Sequence, residues 1–359
     1  MSTFHSSQDN GYVGIDIGSS YIKVVQLKKE EGRIVLDTYG EVALGPYEED
    51  GVAGQIAHLE QEQLTEAVKN LIKQANVSAK TAFISLASSS SLIFILSLPR
   101  ISEHELAGAV QSEVKKYIPI PLTEISLDWW IIPEEETFGD DYMHTEKKGD
   151  IKVLVAAVRN EIFDTYEGMA KNLPFQEHAY EIETFSMVRS SLRNELAPVM
   201  LVDFGASGTR VTVIEHGVLR KFYSINRGGL YLTNSLKKSL QIEFEDAEKK
   251  KREVGMNEEG DREVSKIIET GMEYVLSEIK KVLFDFEHDY KRPVNKIILA
   301  GGGALLPGLK EKMEFRYNIP TEYADPFKHA MYPDFLEEVL KKSGPEFSVA
   351  LGLALQRLV

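Results

Sequence analysis

Residues 13–24 read V-G-I-D-I-G-S-S-Y-I-K-V, and residues 201–211 read L-V-D-F-G-A-S-G-T-R-V. Each segment is an apolar strand with an Asp near its end, one spacer residue, Gly, two small residues and a second strand. A supersecondary unit that recurs at a distance often marks duplicated domains. Glycine lets the backbone approach a ligand closely and Ser or Thr adds hydroxyl donors, so each turn can present N–H groups to an anion. The Asp at each strand end is expected to point into a shared cleft that holds Mg²⁺, a hard cation that takes carboxylate, water and phosphate oxygens. One such turn is an ordinary hairpin. Two facing copies with two Asp residues read as a phosphate clamp.

A third glycine-rich turn lies at residues 297–309, I-I-L-A-G-G-G-A-L-L-P-G-L. A strand runs into Gly301, Gly302 and Gly303 and a helix follows, which leaves room for a flat ring against backbone. Alone this is a flexible turn; third in this order, it reads as an adenosine pocket. It is not the dinucleotide fingerprint, because its glycines are consecutive, and no G-x-x-x-x-G-K-[ST] occurs.

The 359 residues suffice for about two domains. With 41 Lys and Arg against 56 Asp and Glu, the net charge is −15. That disfavours nucleic acid, which needs a cationic footprint. There are no cysteines, hence no disulfide, thiol nucleophile or thiolate metal site. The eight histidines are scattered without an H-x-x-x-H spacing, which argues against zinc. Residues 1–10 lack a cationic, apolar signal sequence, and no uncharged apolar run approaches the ~18 residues needed to span a bilayer. A cytoplasmic protein is expected.

Periodicity predicts strands at 12–17, 21–27 and 34–42 and an amphipathic helix over 59–75, with its stripe at Leu64, Ala67, Val68, Leu71 and Ile72. Strands at 81–87 and 92–98, a helix capped by Ser102 with Glu105 completing a capping box, strands at 125–132 and 151–158, and a helix at 161–173 form one α+β module. Later helices are expected at 233–240, 244–254 and 271–290, from residue 307, and at 347–358, where small residues allow close packing. The acidic stretch 134–150 reads as a solvated loop or a contact surface. Trp129 and Trp130 in one strand should send their rings to opposite faces.

These residues resemble the actin-like ATPase superfamily, which includes sugar kinases, heat-shock chaperones and bacterial FtsA, and within it the PilM family of type IV pilus assembly. The resemblance covers nearly the whole chain: residues 14–27 and 202–213 match its phosphate motifs, 298–309 its adenosine motif and 347–358 its closing helix. S-L-P-R-I-S-E-H-E-L…Y-I-P-I-P-L-T-E-I-S-L-D at residues 97–128 resembles the subdomain that PilM and FtsA carry and that sugar kinases and chaperones lack. The implied fold is α/β: an actin-like, ribonuclease H-like two-domain ATPase with a nucleotide cleft and an inserted FtsA-type α+β subdomain. Its domain 1 core would take 11–78, 174–198 and 346–359, with the insertion at 79–173; domain 2 would take 199–228 and 291–345, with a subdomain at 229–290.

The resemblance implies roles residue by residue. Gly18, Ser19 and Ser20 would cradle phosphate, and Lys23, seven residues after Asp16, would reach back to it. Gly205, Ala206, Ser207 and Thr209 would act from the opposite domain, with Asp16 and Asp203 holding Mg²⁺ largely through water. Glu248 and Lys251 match an E-x-x-K that contacts ribose and adenine, against the alternative of a surface ion pair, and Gly302 and Gly303 would flank the base. Glu183, in E-I-E-T-F where the family usually shows D-x-E-x-F, falls near the attacking water, against the alternative of a buried or hinge-side salt bridge.

The implied function is an ATP- and Mg²⁺-binding scaffold of type IV pilus, or related type II secretion, inner-membrane assembly, with nucleotide state coupled to partner binding and hydrolysis slow or absent, at most a weak ATPase. It would bind the N-terminal cytoplasmic tail of a PilN-like membrane protein beside the apolar corner at 117–122, an element that could equally be core. Other pilus assembly components are further partners. No cationic amphipathic tail of the FtsA kind is seen, so recruitment to the cytoplasmic face of the inner membrane would run through partners. The alternatives are an FtsA-like filament-forming homo-oligomer and a small-molecule kinase.

Overall fold

The computed structural model describes residues 11–118, 120–132, 150–192, 195–257 and 260–359. In chain order the elements of the first half are β1 (Tyr12–Ile17), β2 (Tyr21–Glu30), β3 (Arg33–Ala43), α1 (Gln61–Gln74), β4 (Thr81–Leu86), β5 (Ser91–Leu98), α2 (Glu103–Val114), β6 (Ile125–Ile132), β7 (Ile151–Arg159), α3 (Asn160–Ala170), β8 (Glu177–Ile182) and α4 (Glu183–Ser191). The second half contains β9 (Val199–Phe204), β10 (Thr209–Glu215), β11 (Val218–Ile225), α5 (Gly229–Leu240), α6 (Phe244–Val254), α7 (Arg262–Tyr290), β12 (Lys296–Ala300), α8 (Leu309–Tyr317), β13 (Thr321–Tyr323), α9 (Glu337–Ser343) and α10 (Ser348–Ala354).

The repeated turns sit in repeated sheets. One sheet has the order β3-β2-β1-β4-β8 and the other β11-β10-β9-β12-β13. In each, three antiparallel strands joined by tight turns are extended by two parallel strands. The stripe predicted for α1 is buried at all five positions, in a core shared with β1, β2 and β4. The larger second core gathers β9, β10 and β12 under α5, α6, α7 and α8.

A third sheet, β5-β7-β6, forms the inserted module, with α2 on one face over Leu96, Leu98, Val153 and Val155. The Ser102–Glu105 capping box is present. The insertion is smaller than its expected 79–173 span. Thr81–Leu86 pairs in parallel with β1 and β8; it is almost wholly buried, as a central parallel strand must be. Met169, Ala170 and Leu173, at and just beyond the end of α3, likewise pack in the first domain's core.

Other boundaries moved for local reasons. The helix expected to begin at Gly271 runs from Arg262, capped by Asp261, whose carboxylate accepts the N–H groups of Glu263 and Val264. Gly271 lies inside it, where an added Cβ would meet the Cδ2 methyl of Leu232 in α5 at 2.7 Å. β8, α4, β11, β13 and α9 had no predicted counterpart. The acidic stretch 134–149 lies outside the described residues.

Small residues in α10 act as expected. All seven residues of the helix, four of them small, are buried between the two domains' sheets and α4. A Cβ on Gly352 would overlap the carbonyl of Ser186 in α4, and one on Gly14 would overlap that of Ala350. Neither obstacle is a movable side-chain tip. Gly352→Ala is therefore expected to destabilise the protein by roughly 3 kcal/mol or more. Urea unfolding would read this as a lower midpoint, and an unchanged midpoint would refute the close contact.

Candidate functional site

The two glycine turns face one cleft of about 1060 Å³, lined also by Asp16, Asp203, Glu183, Lys23 and the Gly301–Gly303 triplet. Each turn closes on itself in the same way. Gly18 N–H donates to the Tyr21 carbonyl at 3.0 Å, and Gly205 N–H to the Gly208 carbonyl at 3.0 Å. Ser19 and Ser20, like Ala206 and Ser207, are thereby held at the tips between strands. The Ser20 hydroxyl is buried without a hydrogen-bond partner.

The second turn is braced from behind. Gly229 and Leu230 N–H, at the start of α5, donate to the carbonyls of Gly205 and Ala206, both at 3.0 Å. Thr209 departs from its expected role: its hydroxyl, fully buried, donates to the Arg227 carbonyl at 2.8 Å. It ties the turn to the strand-to-helix connection.

Asp16 is buried and Asp203 half-buried, and both line the cleft. The Ser85 hydroxyl donates to Asp16 Oδ1 at 3.0 Å and accepts Ile17 N–H at 2.8 Å, which fixes the carboxylate. Burial, reinforced by the charge of Glu183, pushes Asp16 up to about 7 against the pull of Lys23 and Ser85. Burial pushes Asp203 up to about 7 as well, with Glu183 and Asp16 adding to it and Arg210 and Lys23 opposing. The carboxylates thus crowd one another. No group of three acidic or histidine side chains able to hold a metal ion occurs among the described residues. Two carboxylates that leave most positions to water and ligand oxygens suit Mg²⁺, which sheds its waters reluctantly.

Glu183 is the first residue of α4, and its Oε1 accepts Ser88 N–H at 2.8 Å. The ion pair of this segment is made by Glu181, which meets Arg189 at 2.5 Å. Glu248 and Lys251 are not a surface pair. Their side chains are 12% and 13% exposed, joined at 2.6 Å, and both meet the Thr233 hydroxyl inside the cleft. Burial opposes the Glu248 charge, but Lys251, Thr233 and Arg252 outweigh it and hold the carboxyl below its usual range. Burial pulls the Lys251 ammonium below its own.

The glycine triplet lines the cleft, with a second reason for its glycines. Gly301 has φ +79° and a Cβ there would strike Asp203 Oδ1, while one on Gly303 would come within 2.9 Å of Phe204. The turn packs directly against the end of β9. Gly302 faces Glu346, whose carboxyl burial pushes up.

Three contributors escaped the sequence reading. Ser85 and Glu346 carry no local signal. Arg210 does: it follows Asp203 by seven residues as Lys23 follows Asp16, and each cation stands opposite its Asp in the strand register of its hairpin. On the module, Ile118 is core and Ile120 and Leu122 pack against it, whereas Tyr117 is exposed and stacks on Phe94. Trp129 packs inward, and half-exposed Trp130 meets Phe185 of α4 edge-on.

Residues 14–358 match the family described as type IV pilus assembly protein PilM. Among solved structures the chain is similar to one described as the PilM-PilN type IV pilus biogenesis complex, at TM-score 0.79 and 21% identity, covering 97% of this chain and 98% of that one. It is similar to MreB5 of Spiroplasma citri bound to ADP, at TM-score 0.55 and 12% identity, covering 96% and 95%. It also resembles the ethanolamine utilization protein EutJ from Carboxydothermus hydrogenoformans, at TM-score 0.54 and 16% identity, covering 96% and 88%. The fold is an actin-like, two-domain α/β ATPase fold.

Proposed function

The chain belongs to the PilM family of type IV pilus assembly proteins, and from that premise we propose a nucleotide-dependent scaffold. It binds ATP with Mg²⁺ in the cleft and, through the inserted module, the N-terminal cytoplasmic tail of a PilN-like inner-membrane protein, which recruits it to the membrane. Nucleotide state sets the affinity for that tail.

One observation carries the reading: both connections of the module line the cleft. Ser89 and Ser90 lead into β5, and Thr165 and Tyr166 follow β7. Burial, with the charges of Glu183 and Asp16, pushes the Tyr166 phenol well up. Ser88 donates to Glu183, and Trp130 of β6 touches α4 just beyond it. A ligand that moves these groups moves the ends of the module's strands.

The turns, Lys23 and the two Asp residues supply anion binding and metal retention; Mg²⁺, when bound, supplies charge neutralisation on the phosphates. Asp16, held by Ser85, and Asp203 would hold it. Glu183 is the residue available to orient a water, with one oxygen already engaged by Ser88. That supports slow hydrolysis at most.

Coupling is reciprocal. A synthetic tail peptide, titrated with and without Mg-ATP, is expected to change affinity by about 5- to 100-fold, and saturating peptide should change ATP affinity by the same factor. Equal peptide affinities in both conditions would sink the coupling; absence of peptide binding in both would sink the partner assignment. Sedimentation with nucleotide separates this adaptor from a filament.

A further inference from the structure

Among the charged groups lining the cleft are the carboxylates of Asp16, Asp203 and Glu183 and two cations on the phosphate hairpins, Lys23 and Arg210. Lys23 already lies 3.7 Å from Glu41. Arg210 is 7% exposed, and its Nε and Nη1 are buried with no hydrogen-bond partner. Unpaired donors on a buried charge are costly, so such a group is retained where something outside the chain completes it. The guanidinium has its own berth: a Cβ on Gly208 would fall on Nη1, so the glycine of the turn makes the space it occupies.

The internal repeat gives the same assignment independently. Both hairpins read D-x-G-x-S-x-x-[KR]-V, at Asp16–Val24 and Asp203–Val211. In β1–β2 the register pairs Asp16 with Lys23, and in β9–β10 it pairs Asp203 with Arg210. Cross-strand partners project from the same face of their sheet, so each domain presents one carboxylate and one cation to the shared cleft. Guanidinium adds a planar fork of N–H donors that matches two oxygens of one phosphate group.

We propose that Arg210 is a phosphate-contacting residue, the second domain's counterpart of Lys23, and that it makes the cleft select polyphosphates over uncharged nucleosides. This rests on the reading of the cleft as a nucleotide site, and the test separates the two. Affinities for Mg-ATP, Mg-tripolyphosphate and adenosine are measured by calorimetry on the full chain, on Arg210→Met and on Arg210→Lys. Arg210→Met should lose about tenfold or more for both polyphosphates and keep adenosine within about twofold; Arg210→Lys should restore part of the loss, since it returns charge without the fork.

A methionine variant that binds polyphosphate like the unaltered chain overturns the proposal. So does one that loses adenosine as heavily as ATP, because Arg210 would then be holding the cleft's shape. Tripolyphosphate bound by the unaltered chain and weakened in Arg210→Met, with neither ATP nor adenosine bound, keeps the Arg210 assignment and overturns the nucleotide reading. An unaltered chain that binds none of the three overturns both.

Discussion

Asp203→Asn is expected to raise the melting temperature of the nucleotide-free protein at pH 8 while removing its stabilisation by Mg-ATP. In the native state burial lifts Asp203 from an ordinary 3.8 to about 7, with the negative charges of Glu183 and Asp16 adding to it. The folded protein therefore holds this proton more tightly than the unfolded chain does. The associated stability is fully present below pH 3.8 and is lost as pH rises through about 7. Above that, the ionised carboxylate is destabilising in the absence of a cation. Asparagine keeps the shape without the charge.

The gain should be clear at pH 8, at about 5 °C or more, and shrink toward pH 5, where Asp203 is already protonated. Asp16→Asn should behave alike, with a smaller gain because the Ser85 hydrogen bond favours the carboxylate. Mg-ATP should stabilise the unaltered protein more at pH 8 than at pH 6, since the carboxylates must release protons before they hold a metal. Melting curves across this range decide it. An Asp203→Asn protein less stable than its parent at pH 8 would exclude the electrostatic account, and one still stabilised by Mg-ATP would exclude Asp203 from metal retention.

The second large effect is Gly228→Ala. A Cβ at Gly228 would collide with the carbonyls of Gly205 and Ala206 and approach the N–H of Gly208 to 2.6 Å. All three belong to the second phosphate turn, and backbone cannot swing away as a side-chain tip can. The turn must shift and lose the bonds from Gly229 and Leu230 that brace it. ATP affinity should fall about a hundredfold, because misplacing the turn by an ångström undoes several N–H contacts together. Gly108→Ala is the matched control. It sits in α2 with open space around its Cβ position, and should leave binding unchanged while adding about 0.5–1 kcal/mol of stability. If Gly228→Ala binds ATP as tightly as the control, the turn is not the phosphate contact.

Much of this site was legible along the chain because its chemistry is local. A strand, an Asp, a Gly and a small residue form one hairpin whose donors point one way, and Gly18 and Gly205 do form matching turns. The E-x-x-K spacing put Glu248 and Lys251 on one helix face, but the same spacing serves a surface ion pair. Only the docking of α5, which brings Thr233 against them, moved that face into the cleft. Thr209 went the other way: its type suits a phosphate, yet its hydroxyl is taken by a carbonyl 18 residues away. Gly271 suggested a helix boundary until the contact with Leu232 supplied another reason for a missing side chain.

What the sequence determined by itself is the duplication: two Asp-Gly turns, a glycine triplet and an α+β insertion between them. Those are properties of short segments, in which residue type and spacing fix backbone conformation and the direction of hydrogen-bonding groups. Which distant groups meet depends instead on how the segments pack. Thr81–Leu86 joined the first sheet because a strand apolar on both faces needs cover on both. Ser85 reached Asp16 across 69 residues, and Ser88 reached Glu183 across 95. The state of the two carboxylates follows from burial, and burial belongs to no segment alone. It arises where two sheets and the helices over them close on a common cleft.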